Sequence, residues 1–189
     1  HIHTGFAGVN GPVLEALVES DETAGVWMTD GSVMLDEATA TQLLSGGHYV
    51  NVHTAAFTGG EIRGQITPDN IEVYGIIADG LQEVPAVTTT ASGAGAFTLN
   101  TSTGALSGSV TITGMTANMA HIHEGEAGVN GGVLLGLTDD TDGMWSVPAN
   151  TTLTSEQMGV MADGGLYTNF HSDAFPSGEI RGQITLGFD

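Results

Sequence analysis

Apolar and polar residues alternate in short runs along most of this chain. "GAFTLN" (95–100) and "GSVTITG" (108–114) repeat with a period of two and are divided by "STGA". That pattern predicts half-buried strands joined by a tight turn. "YVNVH" (49–53) and "YTNFH" (167–171) alternate in the same way. Two stretches break the rhythm. "DEATATQLLSGG" (36–47) offers Asp36 as an N-cap and a Gly-Gly stop, and "TSEQMGVMADGG" (154–165) offers Thr154 with Gln157 three residues on. Each predicts one short helix. No run of 18 apolar residues occurs, so no helical membrane span is expected.

The pattern is written nearly twice. Aligning 1–66 with 121–184 keeps every feature in order. "HIHTGFAGVNGPV" matches "HIHEGEAGVNGGV", Trp27 matches Trp145, "YVNVH" matches "YTNFH", and "GEIRGQI" occurs at 60–66 and 178–184. Residues 71–120 precede the second copy and have no counterpart before the first. The expected organisation is therefore an incomplete repeat over 1–70, holding a second half only, and a complete repeat over 71–189. "TPDN" (67–70) marks the joint, the Asn-Gly of each "GVNG" predicts a turn, and each Trp is expected to anchor a core.

Composition narrows the class. There are 22 acids, two arginines and no lysine, for a net charge of −20. Phosphates need a basic face, so nucleic acid is excluded as a partner. Such a surface suits salty or calcium-rich water and a secreted setting. Cysteine is absent, which removes disulfides and thiolate metal sites. With 29 glycines and many threonines the chain reads as all-β. A start at His1 rather than Met fits a processed or trimmed chain.

Six of the seven histidines fall at repeated positions. In a strand His-Ile-His puts both imidazoles on one face. Tyr49, Asn51 and His53 share a face, as do Tyr167, Asn169 and His171. If neighbouring strands carry these segments, two clusters form: His1, His3 and His53, and His121, His123 and His171. Three neutral nitrogens with a fourth place open suit copper, and zinc after it. Calcium prefers oxygen, and only the acidic surface, as at "TDDTDG" (138–143), offers it. Repeated histidines can also be retained for hydrogen bonding alone. The two arginines, Arg63 and Arg181, occupy one repeated position and share a strand face with Glu61 and Glu179. They are expected to fix a loop by bonding carbonyls or a carboxylate, rather than to draw an anion to a metal. Asn100 and Asn150 lie in glycosylation sequons. No nucleophile triad, phosphate loop or catalytic carboxylate pair stands out.

"LQEVPAV", "TGALSGSVTITGM", "AHIHEGEAGVNGGV" and "GGLYTNFHSDAFPSGEIRGQI" together resemble the chordin-type (CHRD) domain family. The resemblance covers 80–184, and 1–66 matches the second half of the domain. It implies an immunoglobulin-like or Greek-key β-sandwich or barrel, in secreted, extracellular proteins without enzymatic activity. The "HIHEG" strand is also similar to the copper strand of Cu,Zn superoxide dismutases, although the bridging histidine and zinc loop of that family are not evident. The leading expectation is a structural or binding module with one three-histidine site per repeat. The alternative is a copper-dependent redox enzyme. The open edge of the first repeat predicts self-association, in which a neighbouring subunit adds strands and a filament grows.

Overall fold

A computed structural model describes residues 1–187; Phe188 and Asp189, the end of the second repeat, lie outside the described residues. The chain divides into two compact units, His1–Ile71 and Glu72–Asp189. Both are mostly β, and each holds one α-helix.

The first unit comprises β1 (Ile2–Thr4), β2 (Val13–Glu15), β3 (Leu17–Glu19), β4 (Trp27–Thr29), α1 (Glu37–Leu44), β5 (His48–Val52) and β6 (Ile62–Ile66). β2-β1-β5-β6 form one sheet, and β3-β4 stand apart as a hairpin. The second unit comprises β7 (Ile71–Asp79), a 3-10 turn (Gly80–Gln82), β8 (Ser92–Asn100), β9 (Leu106–Thr113), β10 (Met119–Glu124), β11 (Val133–Gly136), β12 (Thr138–Asp139), β13 (Met144–Ser146), α2 (Ser155–Ala162), β14 (Leu166–His171) and β15 (Ile180–Leu186). Its nine strands run in the order β11-β10-β14-β15-β7-β8-β9-β13-β12. The sheet is barrel-like and nearly closed, with Leu137 N–H donating to Ala120 O beside β10 at 2.8 Å. Phe97, Leu99, Val110 and Ile112 from β8 and β9 share one core with Ile122, Leu166, Phe170, Ile180 and Ile184 from the opposite strands.

Local chemistry sets the elements. Asp36 accepts from Thr39 N–H, and Thr154 forms a capping box with Gln157, so both helices begin where orphan N–H groups find an acceptor. Gly46 (φ 75°) and Gly164 (φ 73°) end them in the left-handed region. β10 and β14 pair with His121 opposite Asn169 and His123 opposite Tyr167. In the first unit His3 likewise faces Tyr49.

Two sequence expectations need correction. The turn in "AGVNG" falls at Ala7–Gly8 and Ala127–Gly128, not at Asn-Gly. Gly11 and Gly131 serve a different need: a Cβ there would lie 1.6 Å from Thr4 O and 1.5 Å from Glu124 O, so only glycine lets the loop return over the strand. Trp145 is 5% exposed, as a core anchor should be, but Trp27 is 52% exposed. β13 carries Trp145 onto β9, whereas residues 1–71 hold no counterpart of β8 and β9.

Candidate metal centre

Strand pairing brings each set of histidines together. In the first unit the ring centroids of His1, His3 and His53 lie 5.0–5.8 Å apart. In the second, those of His121, His123 and His171 lie 5.0–6.2 Å apart. Within each set, one nitrogen from every ring lies within 4.8 Å of the other two. His171 stands one pleat beyond Asn169 on β14, and His53 stands one pleat beyond Asn51 just past the end of β5; this diagonal closes each triangle.

Backbone carbonyls fix the rings. His3 Nδ1 lies 3.0 Å from Gly11 O, and His53 Nδ1 lies 3.0 Å from Thr58 O. His123 Nδ1 lies 3.1 Å from Gly131 O, and His171 Nδ1 lies 3.1 Å from Pro176 O. A carbonyl only accepts, so each of these Nδ1 atoms carries a proton, and in the neutral ring the lone pair then lies on Nε2. The Nε2 atoms of His3, His53 and His123 are buried without a hydrogen-bond partner. His171 Nε2 meets His121 Nδ1 at 3.1 Å. Burial, the main cause, holds His123 and His171 below the ordinary imidazole range, so both are neutral donors.

A stack supports each site. His3 lies parallel to Tyr49 (17°, 5.0 Å), and His123 to Tyr167 (14°, 5.0 Å). Arg63 covers the Tyr49 ring at 3.4 Å, and Arg181 covers Tyr167 at 3.5 Å. β5 lies between β1 and β6, and β14 between β10 and β15, so the imidazole and guanidinium approach each phenol from opposite sides. The tyrosine hydroxyls accept from Gly11 N–H and Gly131 N–H. Arg181 donates to Val129 O (3.0 Å) and Glu126 O (2.7 Å), and Arg63 to Val9 O (3.0 Å) and Phe6 O (2.9 Å). Both guanidiniums thus clamp the loop that carries the acceptor of His3 or His123. Their donors are taken by loop carbonyls and by the Gln65 or Gln183 side chain.

The remaining sequence candidates buttress the sites. Asn51 donates to Gly59 O, and Asn169 to Glu83. Glu61 accepts from Thr54, while Glu179 accepts from Ser172 and Thr89. The bonds of Asn51, Glu61 and Ser172 hold the turns that present Thr58 O and Pro176 O, and those to Glu83 and Thr89 tie the second site to the segment after β7. Sequence reasoning missed Gln65 and Gln183, each of which ties two loops: Gln183 Nε2 donates to Gly125 O and Gly164 O. Their repetition in "GEIRGQI" was the available signal. It also assigned no role to Glu83, which lies within "LQEVP", or to Asn130, which donates to Val84 O at 2.7 Å.

Each cluster offers three imidazole nitrogens on one rigid face, with His1 exposed and His121 half-buried at the open side. Tetrahedral coordination with bonds of about 2.0–2.1 Å puts neighbouring nitrogens about 3.3 Å apart. The 3.1 Å separation of His121 Nδ1 and His171 Nε2 is close to that figure. No helix among the described residues is long and apolar enough to cross a membrane.

No curated protein and no solved structure matches the chain. The family model of the CHRD domain matches residues 1–66 and again 74–184. The chain therefore belongs to the CHRD domain family and carries two of its repeats.

Proposed function

We propose that this chain is a secreted, non-enzymatic module that holds one transition-metal ion per repeat, copper in preference to zinc, in extracellular assembly or metal holding. CHRD domains are generally binding or structural modules and occur in extracellular proteins. One observation carries the metal reading. Nε2 of His3, His53 and His123 is buried, stripped of hydrogen bonds and held toward the other rings by a carbonyl on Nδ1. An imidazole kept only for hydrogen bonding would use both nitrogens, because a buried orphan acceptor costs about 1–3 kcal/mol. A metal ion offsets that cost, and the carbonyl on the far nitrogen is the usual outer support of a metal-bound histidine. Neutral nitrogen ligands favour copper over zinc by the Irving–Williams order. Binding needs no other reactive group.

Metal analysis tests the reading. The chain dialysed against Cu²⁺ is expected to retain one equivalent per repeat, and a His123→Ala/His171→Ala variant to lose one of them while its circular dichroism is unchanged. Equal retention by the two proteins would overturn it. A superoxide assay separates the redox alternative, which requires turnover by the copper-loaded chain.

A further inference from the structure

Met119 shares a strand face with the second histidine cluster. β10 alternates: Ala120 and Ile122 enter the core, so Met119, His121 and His123 point to the outer face together. On β14 the register sets His171 opposite Met119, Asn169 opposite His121 and Tyr167 opposite His123. Tyr167 stacks on His123 and Asn169 donates to Glu83, so both are engaged. On the far side of β10 the residues opposite His121 and His123 are Gly136 and Val133, which offer no ligand atom. On the far side of β14 stand Arg181 and Gln183, whose donors go to loop carbonyls. Of the side chains around the cluster on this face, Met119 is left.

The backbone holds Met119 against the site. Asn118 N–H donates to His171 O at 2.9 Å, and Asn118 Nδ2 donates to Asp173 Oδ1 at 2.7 Å. The residue before Met119 is thus tied to His171 and to the turn that follows it. The same bond engages the carboxylate of Asp173. Opposed residues of an antiparallel pair set their Cβ atoms about 4.5–5.5 Å apart, within reach of a long, flexible thioether. His171 Nε2 turns back toward His121, and Met119 and His123 flank His121 two residues to either side. His123 leans over His121 from one side, and Met119 can do so from the other. Met119 is 48% exposed and lies outside the core cluster, on the side where the histidines are open.

We propose that Met119 Sδ is the fourth ligand of the second site and tunes it for Cu⁺. The inference rests on the reading that His121, His123 and His171 hold copper. Three imidazoles leave one corner of a tetrahedron open. A thioether is soft and uncharged, so it adds most to Cu⁺, the softest ion that imidazoles hold. It adds less to Zn²⁺, whose binding the three imidazoles dominate. A catalytic metal keeps one position open for water or substrate. With Met119 in that position the ion is closed off, which suits a module that holds metal rather than one that turns over substrate.

X-ray absorption reads the sulfur directly. The chain has no cysteine, so any copper–sulfur path comes from methionine. A full chain carrying His3→Ala and His53→Ala confines copper to the second unit. Loaded with Cu⁺ without oxygen, it is expected to show one sulfur beside the imidazole nitrogens. Met119→Leu, a volume-conserving change at an exposed side chain, should abolish that path. It should also weaken Cu⁺ binding about ten-fold or more in competition with bicinchoninate, and leave Zn²⁺ binding unchanged. Bound Cu⁺ with no sulfur path would overturn the thioether yet leave the three-histidine site standing. A path that survives Met119→Leu would assign the sulfur to another methionine and overturn Met119. Equal losses of Cu⁺ and Zn²⁺ affinity would mark a structural role alone and overturn it too. No copper held by the parent chain would overturn the histidine reading as well.

Discussion

His121 Nδ1 and His171 Nε2 lie 3.1 Å apart, while the other nitrogen of His171 is held by Pro176 O. The carbonyl decides who donates: His171 carries its proton on Nδ1, so without metal His121 must carry one on Nδ1 as well. Free imidazole prefers the Nε2–H form, so the site inverts the usual tautomer. Long-range ¹H–¹⁵N spectra of the metal-free protein are expected to show Nδ1–H for His3, His53, His123 and His171. Added Zn²⁺ should remove the proton between His121 and His171 first. Nε2–H signals from His123 or His171 would contradict the geometry.

Arg181 is 1% exposed and holds three acceptors, Val129 O, Glu126 O and Gln183 Oε1, while covering Tyr167. Its removal leaves buried carbonyls unpaired and uncovers the ring. Arg181→Ala is therefore expected to cost roughly 3 kcal/mol or more. Arg63 makes the same bonds at an exposed site, where water can replace it, and Arg63→Ala should cost only about 1 kcal/mol. Urea unfolding of the two variants checks the asymmetry, and equal losses would refute it.

The repeat and the strand alternation made the clustering of His121, His123 and His171 legible, because faces follow from a period of two. The partners of the rings were not. Gly131 O and Pro176 O are positioned by loop backbone, which leaves no residue-type signature. Trp27 shows the opposite limit. Its match to Trp145 carried the residue's identity but not its surroundings, which in the second unit come from β9. Glu83 was visible in "LQEVP" without a role, because its partners Asn169 and Arg181 lie about a hundred residues away in sequence.

Glu83 should make the second unit sensitive to base. Burial, the largest influence, raises its pKa above the ordinary 4.5, against the opposing pull of Asn169 and Arg181. The folded chain thus keeps a proton that the unfolded chain has released. The stabilisation is present below about pH 4.5 and is lost as pH rises through the raised folded value. Glu83→Gln removes the charge and sets an amide donor near Asn169 Oδ1, a buried acceptor without a partner. The variant is expected to match wild type near pH 4 and to unfold at higher urea near pH 8. A wild-type advantage at pH 8 would show that the Arg181 field outweighs burial.

His48 is fully buried, and neither of its ring nitrogens has a hydrogen-bond partner. Its counterpart, Leu166, fills the same strand position in an apolar core. His48→Leu replaces two orphan polar atoms with hydrocarbon and is expected to stabilise the first unit by about 1–3 kcal/mol. The gain should grow in acid. Burial lowers the His48 pKa below 6.5, so the unfolded chain takes up the proton first. Wild type keeps its stability above pH 6.5 and loses it as pH falls from there toward the folded value, a loss the leucine variant does not share. Thermal unfolding of wild type and His48→Leu at pH 8 and pH 5 reads the difference. A smaller gain at pH 5 than at pH 8 would reverse the assigned sign, and a less stable variant at both would mean that the imidazole has a partner after all.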